Sequence, residues 1–217
     1  MKFIYAIFDM NGLMFDTERL FIDSYTYGVA PCTGMEFPME KLRQLIGVSR
    51  AATAEQFEYL FGTMHSYQEC CKIADAWVDH YLQENGIPVK DGLFELLEWL
   101  KKRGVKMAVA TSTERQRAMS FLRLAGVEQY FQAVIGGDML KESKPNPQIF
   151  LLTAQMLGCK DLQQCVIFED SLNGMLAAVN AKIPVIVVPD LIDPTQQRPN
   201  LCLAKVATLY EAIKYLE

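Results

Sequence analysis

Short apolar runs alternate with helical patterns along most of the chain. The runs are Phe3–Phe8, Val105–Ala110, Ala133–Ile135, Cys165–Phe168 and Ile183–Val188. They show little period-two alternation, which predicts strands covered by helices on both faces and lying in the middle of a sheet. Between them, Leu93–Lys102, Glu114–Leu124, Pro147–Leu157 and Leu172–Ala181 place apolar residues at helical spacing. Gly104, Gly126 and Gly158 follow three of these stretches, where C-terminal caps belong. Strand–helix alternation of this kind predicts an α/β fold: a doubly wound, Rossmann-like parallel sheet.

Residues 17–85 break the alternation. They read as consecutive helices, with turn signals at Pro31–Gly34, Gly47–Ser49 and Gly62–Thr63 and no clear strand. The expected organisation is an α/β core of residues 1–15 and 87–217 with a small all-helical domain, residues 16–86, inserted into it. The junctions fall at Leu13–Asp16 and Gly86–Asp91, the second rich in Gly and Pro.

Composition narrows the function classes. The chain has 217 residues, 51% of them apolar, enough for one core plus a modest insertion. The 21 basic and 26 acidic residues give a net charge of -5 without any long basic run, which argues against nucleic acid as a partner. The apolar run before Asp9 is too short for a signal peptide or a membrane span, so a soluble, cytoplasmic protein is expected with no membrane partner. Six cysteines, without a C-x-x-C pair or adjacent histidines, are expected to be reduced thiols packed as small apolar groups. Trp77, Tyr81 and Phe57 fall at helical spacings in the inserted domain and are read as its core.

In an open doubly wound sheet, ligands bind outside the carboxyl ends of the strands. The residues that follow the apolar runs there form a coherent set: Asp9-Met10-Asn11-Gly12, Thr111-Ser112 and Glu169-Asp170-Ser171, with Lys144-Pro145 before a helix. Clustered carboxylates repel and call for a cation, and hard oxygen donors without His or Cys favour Mg2+. A lysine in the same place implies an anionic substrate. The segment DMNGLMFDTE is not a calcium loop, because Gly12 stands at its fourth position rather than its sixth. Neither a G-x-x-x-x-G-K-[ST] nor a G-x-G-x-x-G pattern occurs.

These motifs, in this order and each at the appropriate end of its element, resemble the haloacid dehalogenase superfamily of phosphatases over nearly the whole chain. FDMNGLMFDTE at 8–18 and VIFEDSLNGMLAA at 166–178 resemble the branch with a small helical cap, which includes phosphoglycolate phosphatase-like enzymes and β-phosphoglucomutase. The resemblance implies a Mg2+-dependent phosphomonoester hydrolase acting on a small-molecule phosphate ester, with a sugar phosphate as one candidate. It implies that Asp9 attacks phosphorus to give an aspartyl-phosphate, covalent catalysis in two steps. Thr111 and Ser112, with backbone amides beside them, would hold the phosphoryl oxygens. Lys144 would neutralise Asp9 and the transferring group. Mg2+ would take the Asp9 and Asp170 side chains and the Asn11 backbone carbonyl, with Glu169 in support. Gly47-Val48-Ser49-Arg50 resembles the cap's substrate-facing loop, where Arg50 could reach a second anionic group.

One position departs from the family. Its phosphatases and mutases carry a second Asp two residues after the nucleophile, as the acid and base for leaving group and water; this chain has Asn11. An amide cannot move that proton, so slow turnover is expected. Three accounts are open: a substitution made to trap a complex, a natural scaffold that binds a phosphate ligand without turnover, or a reaction in which another group handles the proton. A β-phosphoglucomutase-like mutase is a further alternative. Phe21, however, stands where that enzyme has a histidine that helps keep water from the phospho-enzyme, which favours hydrolysis. His65 and His80 are read as surface or structural residues, and Lys41 and Lys72 lack the context of a Schiff-base lysine.

Overall fold

The computed structural model describes residues 2–48, 50–196 and 198–217. It divides into two compact units, Met1–Phe15 with Pro88–Glu217, and Asp16–Ile87.

The first unit is built on six parallel strands: β1 (Tyr5–Phe8), β2 (Lys106–Ala110), β3 (Phe131–Ile135), β4 (Cys165–Glu169), β5 (Val185–Val187) and β6 (Ala204–Lys205), in spatial order β3-β2-β1-β4-β5-β6. Helices Leu93–Lys102, Arg115–Leu124, Gln148–Met156 and Leu172–Asn180 connect them. Because β1 is flanked on both sides, Ile7 and Phe8 are fully buried on opposite faces. Ile7 packs with Ala108, Ile167 and Phe150 in one core cluster. Phe8 stacks on Phe168 at 4.7 Å and meets the edge of Phe131 at 5.7 Å.

Two features differ from the sequence reading. The run at Ala133–Ile135 belongs to an edge strand, β3, rather than the middle of the sheet, and its first three residues are partly exposed. The two-residue β6 was not foreseen, since Ala204–Lys205 is too short to form an apolar run.

The second unit is helical among its described residues: Thr17–Asp23, a π-helical turn Ser24–Val29, Ala30–Thr33, Met39–Leu42, Arg50–Phe61 and Tyr67–Asn85. Tyr25 is buried among Phe21, Phe37 and Phe57, with ring centroids 5.0, 5.0 and 6.4 Å away. Trp77 stacks on Tyr81 at 5.7 Å, and its Cβ lies 3.0 Å from where a side chain on Gly28 would begin. Ser66 caps the longest helix: its Oγ accepts from the Glu69 amide while the Glu69 carboxylate accepts from the Ser66 amide, satisfying two amide donors that the first turn would otherwise leave open. His65 and His80 sit beside Glu69 and Glu84 on this unit's surface. The cysteines are all free thiols; Cys70 and Cys165 are buried as expected, but Cys32 is exposed rather than packed. No helix among the described residues is long and apolar enough to cross a membrane.

Candidate active site

The carboxyl ends of β1, β2 and β4 lie side by side, because Phe8 pairs with both Val109 and Phe168. The residues after these strands are therefore neighbours by register, not by loop folding. The ladder continues one step into the site, with the Asp9 amide donating to the Phe168 carbonyl (3.0 Å) and the Thr111 amide to that of Ile135 (3.0 Å).

Lys144 joins these strand ends. Its ammonium donates to Asp9 Oδ1 (2.5 Å), Glu169 Oε1 (2.6 Å) and the Ala110 carbonyl (3.2 Å), so β1, β2 and β4 each contribute one acceptor. The Lys144 side chain is only 5% exposed. The peptide between Lys144 and Pro145 is cis. Burial alone would push the Lys144 ammonium down, but Asp9 and Glu169 together outweigh it and hold it above its ordinary range. Burial raises the Asp9 carboxyl above the usual carboxylate range, with Glu169 adding to the rise and Lys144 opposing it.

Glu169 is fully buried and fixed through both oxygens. Oε1 takes Lys144, while Oε2 accepts from the Asp170 amide, the Ser171 amide and the Ser171 hydroxyl, each at 3.0 Å. Ser171 also caps helix Leu172–Asn180 by accepting from the Gly174 amide (3.1 Å). Gly174 is required by this packing, because a Cβ there would overlap the Glu169 carboxylate. Replacing Gly174 with alanine is accordingly expected to lower stability by about 1–3 kcal/mol through overpacking, read as a shift in the urea midpoint.

The ligand oxygens of Asp9, Glu169 and Asp170, all buried, lie within 4.8 Å of one another. Three carboxylates against one ammonium leave a buried excess of negative charge, and the donors are all hard oxygens, which suits Mg2+. Asp9 and Asp170 could ligate such an ion, with Glu169 behind them held by hydrogen bonds within the protein. Gly12, with φ +77°, holds the loop after β1 close to them: a Cβ there would strike Asp170 Oδ2.

Of the other residues singled out in the sequence, Thr111 is fully buried and its Oγ1 accepts from the Thr113 amide (3.2 Å), whereas Ser112 is exposed. The Asn11 amide donates to Thr113 Oγ1 at 2.7 Å. Thr113 was not foreseen, and only its place two residues beyond Thr111 could have pointed to it. Arg50 belongs to the second unit, where Asp75 engages its guanidinium at 2.5 Å. Of the loop read with it, Ser49 lies outside the described residues.

Comparison with known proteins gives this arrangement a family. The haloacid dehalogenase-like hydrolase pattern matches residues 6–188. A phosphorylated carbohydrates phosphatase of Thermotoga maritima is 32% identical over 182 residues, covering 82% of this chain and 81% of that one. Hexitol phosphatase B of Escherichia coli K12 is 30% identical over 204 residues, covering 93% of this chain and 89% of that one. Among solved structures, one from Thermotoga maritima provisionally assigned as a β-phosphoglucomutase superposes with a TM-score of 0.80 at 28% identity, covering 98% of this chain and 97% of that one.

Proposed function

The chain belongs to the haloacid dehalogenase-like hydrolase family and is a phosphatase, and from that premise we propose a specific chemistry: Mg2+-dependent hydrolysis of small soluble phosphomonoesters, phosphosugars among them, through an aspartyl-phosphate on Asp9. The observation that carries this reading is the buried Lys144 ammonium bonded to both Asp9 and Glu169, with Asp170 alongside. A phosphatase in the T. maritima relative's name, and a hexitol phosphatase in the E. coli one, support the substrate class.

Asp9 forms a bond to phosphorus while the ester P–O bond breaks, and the alkoxide leaves and takes a proton from solvent water. Water then attacks the same phosphorus and gives up a proton to solvent as the Asp9–phosphorus bond breaks, releasing inorganic phosphate and restoring the Asp9 carboxylate. Lys144 holds Asp9 oriented and offers positive charge to the phosphoryl oxygens, a preorganised contribution of the kind that dominates phosphoryl transfer. Thr111 and the amides beside it would hold those oxygens. When bound by Asp9, Asp170 and the Asn11 carbonyl, Mg2+ supplies charge neutralisation between the carboxylates and the phosphate dianion.

Hydrolysis is favoured over phosphate return to a sugar because Phe21 stands where the mutases of the family carry histidine. Its ring packs 5.0 Å from Tyr25 and brings no hydrogen-bonding group. A second reading, binding without turnover, rests on Asn11, whose amide cannot exchange the leaving-group proton.

A phosphomonoester panel tests the proposal. Both this chain and its Asn11→Asp form are incubated with Mg2+, and inorganic phosphate release is followed with and without a chelator. The expected result is chelator-sensitive release, faster in the Asp form, with a phospho-adduct mapped to Asp9 by peptide mass spectrometry. Release unaffected by chelation, or no release from either chain on any ester, would sink the reading.

A further inference from the structure

A fourth carboxylate approaches the site from β5. Asp190 lies three residues past the end of that strand, and its side chain is 3% exposed. Oδ1 accepts from the Lys90 ammonium at 2.6 Å. Oδ2 is buried and has no hydrogen-bond partner among the described residues. That oxygen points toward the loop after β1: a Cβ on Gly12 would lie 3.3 Å from it and would strike Asp170 Oδ2 from the same point. The two carboxylates thus close on one glycine from the ends of the neighbouring strands β4 and β5.

A buried acceptor without a donor has lost its water without replacement, a cost that grows when the group is charged. Asp190 is not among the three carboxylates whose oxygens fall within 4.8 Å of one another, so it is set back from direct ligation. A carboxylate set back behind a ligating one, with an unused lone pair facing it, is suited to receive a hydrogen bond from a water of a cation's hydration shell.

We propose that Asp190 is a positioning residue of the metal site. Its Oδ2 accepts from a water on the cation held by Asp9 and Asp170, and the ion pair with Lys90 fixes its orientation. Lys90 is anchored in turn, since its amide donates to the Met14 carbonyl at 2.9 Å in the segment that follows Gly12. The inference rests on the metal site proposed above.

Titration calorimetry of the full chain with Mg2+ alone, without substrate, separates the possibilities. In Asp190→Asn the shape is kept and the charge removed, and Mg2+ affinity is expected to fall about 10- to 100-fold. A residue that merely ties β5 to Lys90 would lower the melting temperature and leave Mg2+ affinity within about two-fold of the parent; that outcome overturns the inference while leaving the Asp9–Asp170 site intact. If the parent chain itself binds no Mg2+, both readings fall. Should Asp190→Asn not fold, Asp190→Asn combined with Lys90→Met decides on the same readout, because removing both partners of the pair leaves no uncompensated buried charge. Weaker Mg2+ binding then supports the inference, and unchanged binding overturns it.

Discussion

Replacing Asn11 with aspartate is expected to raise kcat for phosphomonoester hydrolysis about 10²- to 10⁴-fold, the range in which a positioned acid–base group contributes. The site is already shaped for the exchange. The Asn11 amide contacts Thr113 Oγ1 at 2.7 Å, and a carboxylate of the same outline keeps that contact by accepting from the hydroxyl. What changes is the ability to deliver a proton to the departing alkoxide and later take one from water. The gain should therefore depend on the leaving group. Alkyl phosphates, whose alkoxides need protonation, should gain most, and p-nitrophenyl phosphate, whose phenolate leaves unaided, should gain least. KM should change little, because the substitution acts on proton transfer rather than on phosphate binding. No gain on either ester would show that Asn11 does not mark a missing acid–base group, whereas equal gains on both would place its role in activating water rather than in protonating the alkoxide.

Leu93–Lys102 was legible to the residue because its apolar spacing and the following Gly104 agree, and β1, β2 and β4 were legible because strands buried on both faces leave uninterrupted apolar runs. Asp9, Thr111, Glu169 and Asp170 could be assembled because residues at the carboxyl ends of parallel strands meet at one end of the sheet, while Lys144, which stands before a helix, joined them through the family resemblance. Contacts made across long sequence separations left no such trace. Lys90 and Asp190 pair across 100 residues without a motif, and Thr113 is one threonine among several until Asn11 is seen against it. Edge position was equally hidden: β3 differs from β2 in its neighbours, and its own apolar content does not reveal that. The π-helical turn Ser24–Val29 has no sequence signature distinct from an ordinary helix and shows only in the backbone.

Replacing Lys144 with methionine should have the largest combined effect. The stem keeps its apolar packing, but the ammonium that accounts for one contact on Asp9 and one on Glu169 is lost. Breaking a buried ion pair from one side leaves uncompensated charge and costs about 3–5 kcal/mol, so in the absence of Mg2+ the urea midpoint should fall sharply. In the Asn11→Asp background, hydrolysis should also slow by about 10²- to 10³-fold, since charge aimed at the transferring group is gone. The pH dependence identifies the cause. Without Lys144, burial and repulsion from Glu169 act on Asp9 without their main opposing charge, and the Asp9 carboxyl moves further up than burial already holds it. A carboxyl whose folded-state pKa lies above its unfolded one destabilises the fold while ionised. The Lys144→Met chain should therefore regain stability as pH falls from neutrality toward the ordinary carboxylate range, where protonation removes the repulsion. Adding Glu169→Gln should restore part of the stability at neutral pH without restoring hydrolysis, because it relieves the repulsion and replaces none of the charge offered to phosphate. A Lys144→Met chain whose deficit is independent of pH would instead place the loss in packing and count against the electrostatic role assigned to this lysine.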